Sequence, residues 1–232
     1  MSGASEFKRK LAAAEKTFLK SLSPSALQNL VSQGLFIDFP EGSVLYRPGE
    51  ESHMLLIDSG EGRMWIESAD GRRMVVRHFG SGEIIGLVAC MGGPANLTVE
   101  TIQATSALAI SSEIVQRVAS VHPEVGFLFA QQCAIRVYGM MDELNSMTFD
   151  SVSRRLARCL IRLSRESMKP VNLRITQQEL ADTIATSREV VARNLKEFRE
   201  RGFVSTESDS PGLIFIKDPT ALRRYYEEST PV

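Results

Sequence analysis

The sequence predicts an α+β chain in three parts: an N-terminal β-roll of jelly-roll type, a long helix suited to dimerisation, and a C-terminal winged helix-turn-helix. Three observations carry this. Between Leu35 and Ile110, short runs of Val, Ile, Leu, Met and Phe alternate with glycine turns at Gly42, Gly49, Gly60, Gly71, Gly82 and Gly92, the rhythm of an all-β roll, sandwich or barrel. Residues 123–147 form one apolar-rich stretch of helical rather than strand length. Residues 175–201, ITQQELADTIATSREVVARNLKEFRER, hold two amphipathic segments joined by Ala185-Thr186. The parts divide as residues 1–122, 123–149 and 150–232.

Taken in order, residues 5–20 and 24–33 read as helices, the second capped by Ser23 with Pro24 at its first position. The segment from Leu35 to Ile110 is read as strands throughout. Ser111-Ser112 opens a short helix. Pro123 starts the long one, about 25 residues or about 37 Å at about 1.5 Å per residue. Val125, Leu128, Phe129, Ile135, Val137, Met140, Met141, Leu144 and Met147 are more apolar surface than one roll covers. The simplest partner is the same helix of a second copy. Asp150 or Ser151 caps the next helix, and Val171–Arg174 is a short strand. After the two-helix motif, Val204–Thr206 and Leu213–Ile216 around Ser210-Pro211-Gly212 form a wing. A last helix runs from Asp218-Pro219 to Glu228.

The motif itself is legible in chemical detail. Thr176 and Glu179 make a capping box, and Ser187 caps the second helix. In that helix Val190, Val191, Leu195 and Phe198 share one side, and Arg188, Glu189, Ala192, Arg193 and Lys196 the other. A short helix, a tight turn and a longer helix with outward charge fit a DNA major groove. An arginine fork matches O6 and N7 of guanine, and a glutamate accepts from the N4 amine of cytosine. Arg188, Glu189 and Arg193 are therefore the candidate base readers. Thr176, Gln177, Ser187 and Lys196 are candidates for phosphate contacts. The structural alternative is a solvated helix with a Glu189–Arg193 pair.

Composition sets bounds. The chain has 232 residues, net charge −1, 43% hydrophobic and 24% charged residues, an ordinary globular composition. Residues 151–232 carry net charge +4 and residues 1–150 carry −5, as expected for a separate DNA-binding unit. No apolar run approaches the ~20 residues of a membrane span, and the N-terminus does not read as a signal peptide. The three cysteines, Cys90, Cys133 and Cys159, are scattered and odd in number, which fits a reducing cytoplasm. Neither HExxH nor a phosphate-cradling GxxxxGK[ST] occurs, so no enzyme and no cofactor is expected.

On these residues the chain resembles the Crp–Fnr family of bacterial transcription regulators. The resemblance runs from about Leu27 to Tyr226. Its sharpest motifs are Phe79-Gly80-Ser81-Gly82-Glu83-Ile84-Ile85-Gly86 and Ser187-Arg188-Glu189 followed by Arg193. Relatives with Arg, Glu and Arg at these positions read TGTGA-like half-sites, so the resemblance implies a homodimer on a palindrome of that kind. Ala185 stands where the family usually has glycine. In a left-handed turn it costs about 1 kcal/mol.

The ligand positions depart further. In cyclic-nucleotide binders of the family a glutamate follows the Ile-Gly pair, and an Arg-Ser or Arg-Thr pair lies about ten residues on. Here Leu87 follows Gly86, and the later pair is Leu97-Thr98; Met140 and Met141 take the place of hydroxyls on the long helix. An anionic phosphate without a cationic partner is costly to bury, so cyclic AMP is not the expected effector. Gly86, Leu87, Leu97, Thr98, Met140 and Met141 either line a pocket for an apolar effector or pack in a regulator that needs none. Alternatives are redox sensing through Cys90, Cys133 or Cys159, a regulatory subunit of an enzyme, and a non-specific architectural DNA binder. His53, His78 and His122 are isolated and do not resemble a haem-binding set. RNA polymerase is an expected partner, with the Glu166–Pro170 loop lying where some family activators touch it. The resemblance places the hinge near Thr148–Ser153.

Overall fold

The computed structural model describes residues 3–51, 53–69, 71, 73–164, 167–206 and 212–228. Glu166, and Ser210 and Pro211 of the expected wing turn, lie outside them. The chain separates into two compact units. One holds residues 1–72 and 76–138, the other 73–75 and 139–232.

The first unit opens with helix α1 (Gly3–Glu15), a single 3-10 turn (Phe18–Ser21) and helix α2 (Pro24–Ser32). The expected single helix over 5–20 is thus broken. Thr17 is the cause: its hydroxyl donates to the carbonyl of Ala14 at 2.8 Å and accepts from the Leu19 amide at 3.1 Å. This ends one helix and starts the next turn. Ser23 caps α2 as expected.

Among the described residues eight strands follow: β1 (Leu35–Phe39), β2 (Val44–Tyr46), β3 (Met54–Ser59), β4 (Glu61–Glu67), β5 (Arg73–Gly80), β6 (Ile84–Ile85), β7 (Thr98–Thr101) and β8 (Thr105–Ile110). They form two four-stranded sheets, in the orders β1-β8-β3-β6 and β2-β7-β4-β5. Strands β3 and β8 pair antiparallel, Leu55 opposite Ala109 and Leu56 opposite Leu108. All six residues of β8 are buried, and the twofold period of a strand explains why. Ala107 and Ala109 face the roll's interior with Leu55, Ile57, Phe79 and Val99. Leu108 and Ile110 face the helical layer with Leu30, Met54, Leu56, Val125 and Phe129. A strand buried on both faces reads as a continuous apolar run.

The strand reading of residues 35–110 needs one correction. Leu87–Gly92 is a short helix, α3. It starts from Gly86, whose φ is +77°, and a Cβ there would run into the carbonyl oxygen of His53. Only glycine fits both demands. Helix α4 (Ser112–Val121), capped by Ser111, and helix α5 (Pro123–Phe149) complete the helical layer. Val125 and Phe129 of α5 are fully buried, with Phe18 edge-on to Phe129 at 6.2 Å.

The second unit carries α6 (Val152–Leu163), β9 (Val171–Arg174), α7 (Gln177–Thr183), α8 (Arg188–Glu200), β10 (Val204–Thr206), β11 (Leu213–Ile216) and α9 (Pro219–Glu228). Ser151 caps α6. The wing is a three-stranded sheet ordered β10-β11-β9. The core joins Leu156, Leu160, Leu180, Ile184, Val191, Leu195, Phe198, Ile214, Ile216 and Leu222. The Tyr225 ring meets Phe198 at 5.5 Å.

Candidate nucleic-acid interface

Two caps and one strained residue position the recognition helix. Thr176 accepts from the Glu179 amide at 3.1 Å, while the Glu179 carboxylate takes the Thr176 amide at 2.8 Å. Helix α7 therefore starts where the capping box placed it. The turn runs through Ala185 at φ +51°, the one described non-glycine residue with positive φ. The Thr186 amide donates back to the Ala181 carbonyl at 3.0 Å. Ser187 then caps α8, accepting from the Val190 amide at 3.4 Å.

The helix so placed is two-sided. Val191, Leu195 and Phe198 are at most 1% exposed, and Val190 is half-buried. Arg188, Glu189, Arg193 and Lys196 are exposed, and Ala192 is half-buried between them. The Ser187 hydroxyl, then the helix's own N–H groups, hold the Glu189 carboxyl below the usual carboxylate range. It is ionised at neutral pH and is an acceptor only. The ion pairs of α8 lie toward its far end, Lys196–Glu200 at 4.0 Å and Glu197–Arg201 at 2.7 Å. The exposed face is thus a row of donors with one acceptor among them, at the end of the helix that capping holds rigid.

The phosphate candidates are less uniform. Gln177 opens α7 and Ser187 precedes α8, both at helix N-termini. The Thr176 hydroxyl already donates to Glu179 at 2.8 Å.

The positions matched to the family's ligand contacts do not share one environment. Leu87 is 1% exposed and packs with the helical layer. Leu97 is half-buried against the roll's interior cluster. Thr98 is buried and pairs with Trp65 across the sheet. Met140 and Met141, in the second unit, are 62% and 58% exposed.

Two arginine features escaped the sequence reading. Arg136 of α5 donates to the Ile84 carbonyl at 3.0 Å. Its Nη1 is buried without a partner among the described residues. Burial, then the nearby Arg77, pulls its pKa down. The second feature is a row of arginines on α6 at helical spacing, a periodic signal that could have been noticed. Of the cysteines, Cys90 and Cys159 are buried and unbridged. Burial pushes the Cys90 thiol up and the Cys159 thiol up to about 12, opposite to a reactive thiolate. No described helix is long and apolar enough to cross a membrane, and the described residues hold no His, Cys, Asp and Glu cluster suited to a metal.

Comparison with known proteins finds two domains in the chain. Residues 36–122 match the cyclic nucleotide-binding domain family, and residues 154–225 match the Crp-like helix-turn-helix domain family. The CRP-like cAMP-activated global transcriptional regulator of Mycobacterium tuberculosis is 26% identical over 213 residues, 88% of this chain and 94% of that protein. The solved structure of the c-di-GMP responsive global regulator CLP of Xanthomonas campestris superposes with a TM-score of 0.71 at 22% identity, covering 84% of this chain and 99% of that one. A CRP/FNR-family transcriptional regulator of Thermus thermophilus gives 0.69 at 20% identity, over 83% and 98%. A domain of the cyclic nucleotide-binding family followed by a Crp-like helix-turn-helix domain, with relatives that are transcriptional regulators, identifies the chain: it is a DNA-binding transcription regulator and belongs to the Crp–Fnr family.

Proposed function

We propose that the protein acts as a homodimer that reads a TGTGA-like palindrome without cyclic AMP. Arg188, Glu189 and Arg193 read the bases. Gln177, Ser187 and Lys196 contact phosphates, and Thr176 does so through the helix end that it caps. The observation that carries this is the division of α8: three nearly unexposed apolar residues anchor it, and the charged residues face outward. Two such helices in a symmetric dimer meet half-sites about one helical turn apart. Dimerisation is supported by the exposed apolar side chains of α5, among them Ile135, Val137, Tyr138 and Leu144 at 54–69% exposure. RNA polymerase is the protein partner this reading implies.

The effector reading rests on chemistry at matched positions. Leu87 and Leu97 offer no charge to a cyclic phosphate or a ribose hydroxyl. The burial of Leu87 favours packing over ligand contact. Relatives sharing the fold are described as cAMP-activated and as c-di-GMP responsive, so the fold does not dictate the ligand. The regulator either needs no effector or takes an apolar one.

The test is fluorescence anisotropy on a labelled palindrome of TGTGA and TCACA half-sites, at fixed salt, with nucleotide-free protein. Specific binding without cyclic AMP is expected. Arg188→Ala and Arg193→Ala each cost about 1–3 kcal/mol and relax preference at one base pair. Equal losses on random DNA would make them phosphate contacts instead. Binding that appears only with cyclic AMP would overturn the effector reading.

A further inference from the structure

The outward face of α8 holds one apolar side chain among its charges. Ala192 is half-buried and stands outside the core of the winged unit, which Val191, Leu195 and Phe198 enter from the buried side of the helix. Glu189 and Arg188 lie three and four residues before it, and Lys196 lies four after it. Those spacings place all three on its side of the helix. Arg193 follows it directly. The methyl is thus ringed by the long polar side chains that face outward.

Two of those neighbours turn away from it. The Ser187 hydroxyl hydrogen-bonds to the Glu189 carboxyl at the first turn of the helix. The Lys196 ammonium lies 4.0 Å from Glu200, toward the far end. Alanine has no atom beyond Cβ, so the Ala192 methyl is the floor of a notch with Arg188 and Arg193 beside it. A longer side chain here would hold α8 away from any surface that the arginines have to reach.

The notch has a chemical complement in the major groove. Among the base edges there, the C5-methyl group of thymine is the apolar projection, and alanine is one of the side chains that contact it. Cytosine presents an N4 amine instead, a donor that a methyl group cannot accept.

We infer that Ala192 is a specificity-determining residue, its methyl meeting the C5-methyl of one thymine in each half-site. The inference rests on the palindrome reading above and adds to it a contact that carries no charge.

The test is fluorescence anisotropy with full-length protein at fixed salt, on the labelled palindrome with thymine replaced by uracil. That exchange removes the 5-methyl group and nothing else. It is made one position at a time, symmetrically in both half-sites. A buried methyl contact is worth about fourfold in affinity, so the unaltered protein should lose about fifteenfold at one position, where two contacts go, and little at the others. Ala192→Ser puts a hydroxyl in the notch, and Ala192→Gly empties it. Both should bind the thymine palindrome several-fold more weakly and show no further loss with uracil at that position, with helix content checked by circular dichroism. Preference for the palindrome over random DNA with no uracil effect at any position would overturn the inference and leave the palindrome reading standing; this arm needs no variant. An undiminished uracil effect in both variants would assign the thymine methyl to another side chain and overturn it too. No preference for the palindrome at all would overturn the reading beneath, and the inference with it.

Discussion

Helices α5 and α8 make opposite use of a two-sided pattern. Each buries a few apolar side chains completely: Val125 and Phe129 in α5, Val191 and Phe198 in α8. They differ in what they leave outside. The outer face of α8 is Arg188, Glu189, Arg193 and Lys196. The exposed residues of α5 include Phe127, Ile135, Val137, Tyr138, Met140, Met141, Leu144 and Phe149, at 54–75% exposure. Exposed charge on a rigid helix suits a hydrated polyanion, and exposed apolar side chains over many turns suit another protein surface. One chain thus carries a charged face and an apolar face on different elements; in the proposed reading the first meets DNA and the second meets another copy.

The largest expected effect comes from removing the anchor of α8. Phe198→Ala should cost about 3–5 kcal/mol and lower the melting transition of the winged unit. The core around Phe129 shares no residue with it. A calorimetric scan should therefore keep the first unit's transition in place, and a joint shift of both would break the comparison. Next, Leu144→Asp should leave folding nearly unchanged, because that side chain is 63% exposed. Two symmetric charges in an apolar interface should cost several kcal/mol and give monomers by light scattering. Lys196→Asp on α8 should do the reverse, leaving mass unchanged while weakening DNA binding.

A smaller change sharpens the account of the turn. Ala185→Gly relieves the only left-handed non-glycine residue described and should raise the winged unit's stability by about 1 kcal/mol, read by urea titration. A loss of about 0.4–1 kcal/mol, the cost of glycine's freer unfolded chain alone, would mean that the turn is not strained.

The smallest effect concerns α1 on the roll. Burial raises the Asp58 carboxyl, but hydrogen bonds from Lys16 at 2.7 Å and Arg9 at 3.2 Å outweigh it and hold it below the usual range. A carboxylate lowered by folding stabilises fully above about pH 4 and loses that contribution as pH falls through its folded value. Stability measured from about pH 6 down to about pH 2 should drop less in Asp58→Asn, by about 0.2–1 kcal/mol. Parallel curves would remove these ion pairs from the account of acid sensitivity.

Much of this was legible in local chemistry. The capping box at Thr176, the Ser187 cap, the one-sided apolar spacing of α8 and the glycine rhythm of the roll are short-range signals. Their meaning does not depend on distant residues. The misses share the opposite character. The break at Thr17 depends on one hydroxyl reaching the Ala14 carbonyl. The helix at Leu87–Gly92 depends on how closely Gly86 passes the His53 carbonyl.

By itself the sequence determined the order of roll, long helix and winged motif, the separation of an acidic first part from a basic second one, and the side of α8 that faces outward. Hydrophobic period and capping residues encode those locally. Only the tertiary structure decided that Leu87 is packed in the helical layer, that Arg136 lies against the roll, and that the α6 arginines grip the end of α5. Each of these needs separate segments to meet, the two arginine contacts at 3.0 and 3.2 Å, and no periodicity within one segment records which partner it will find.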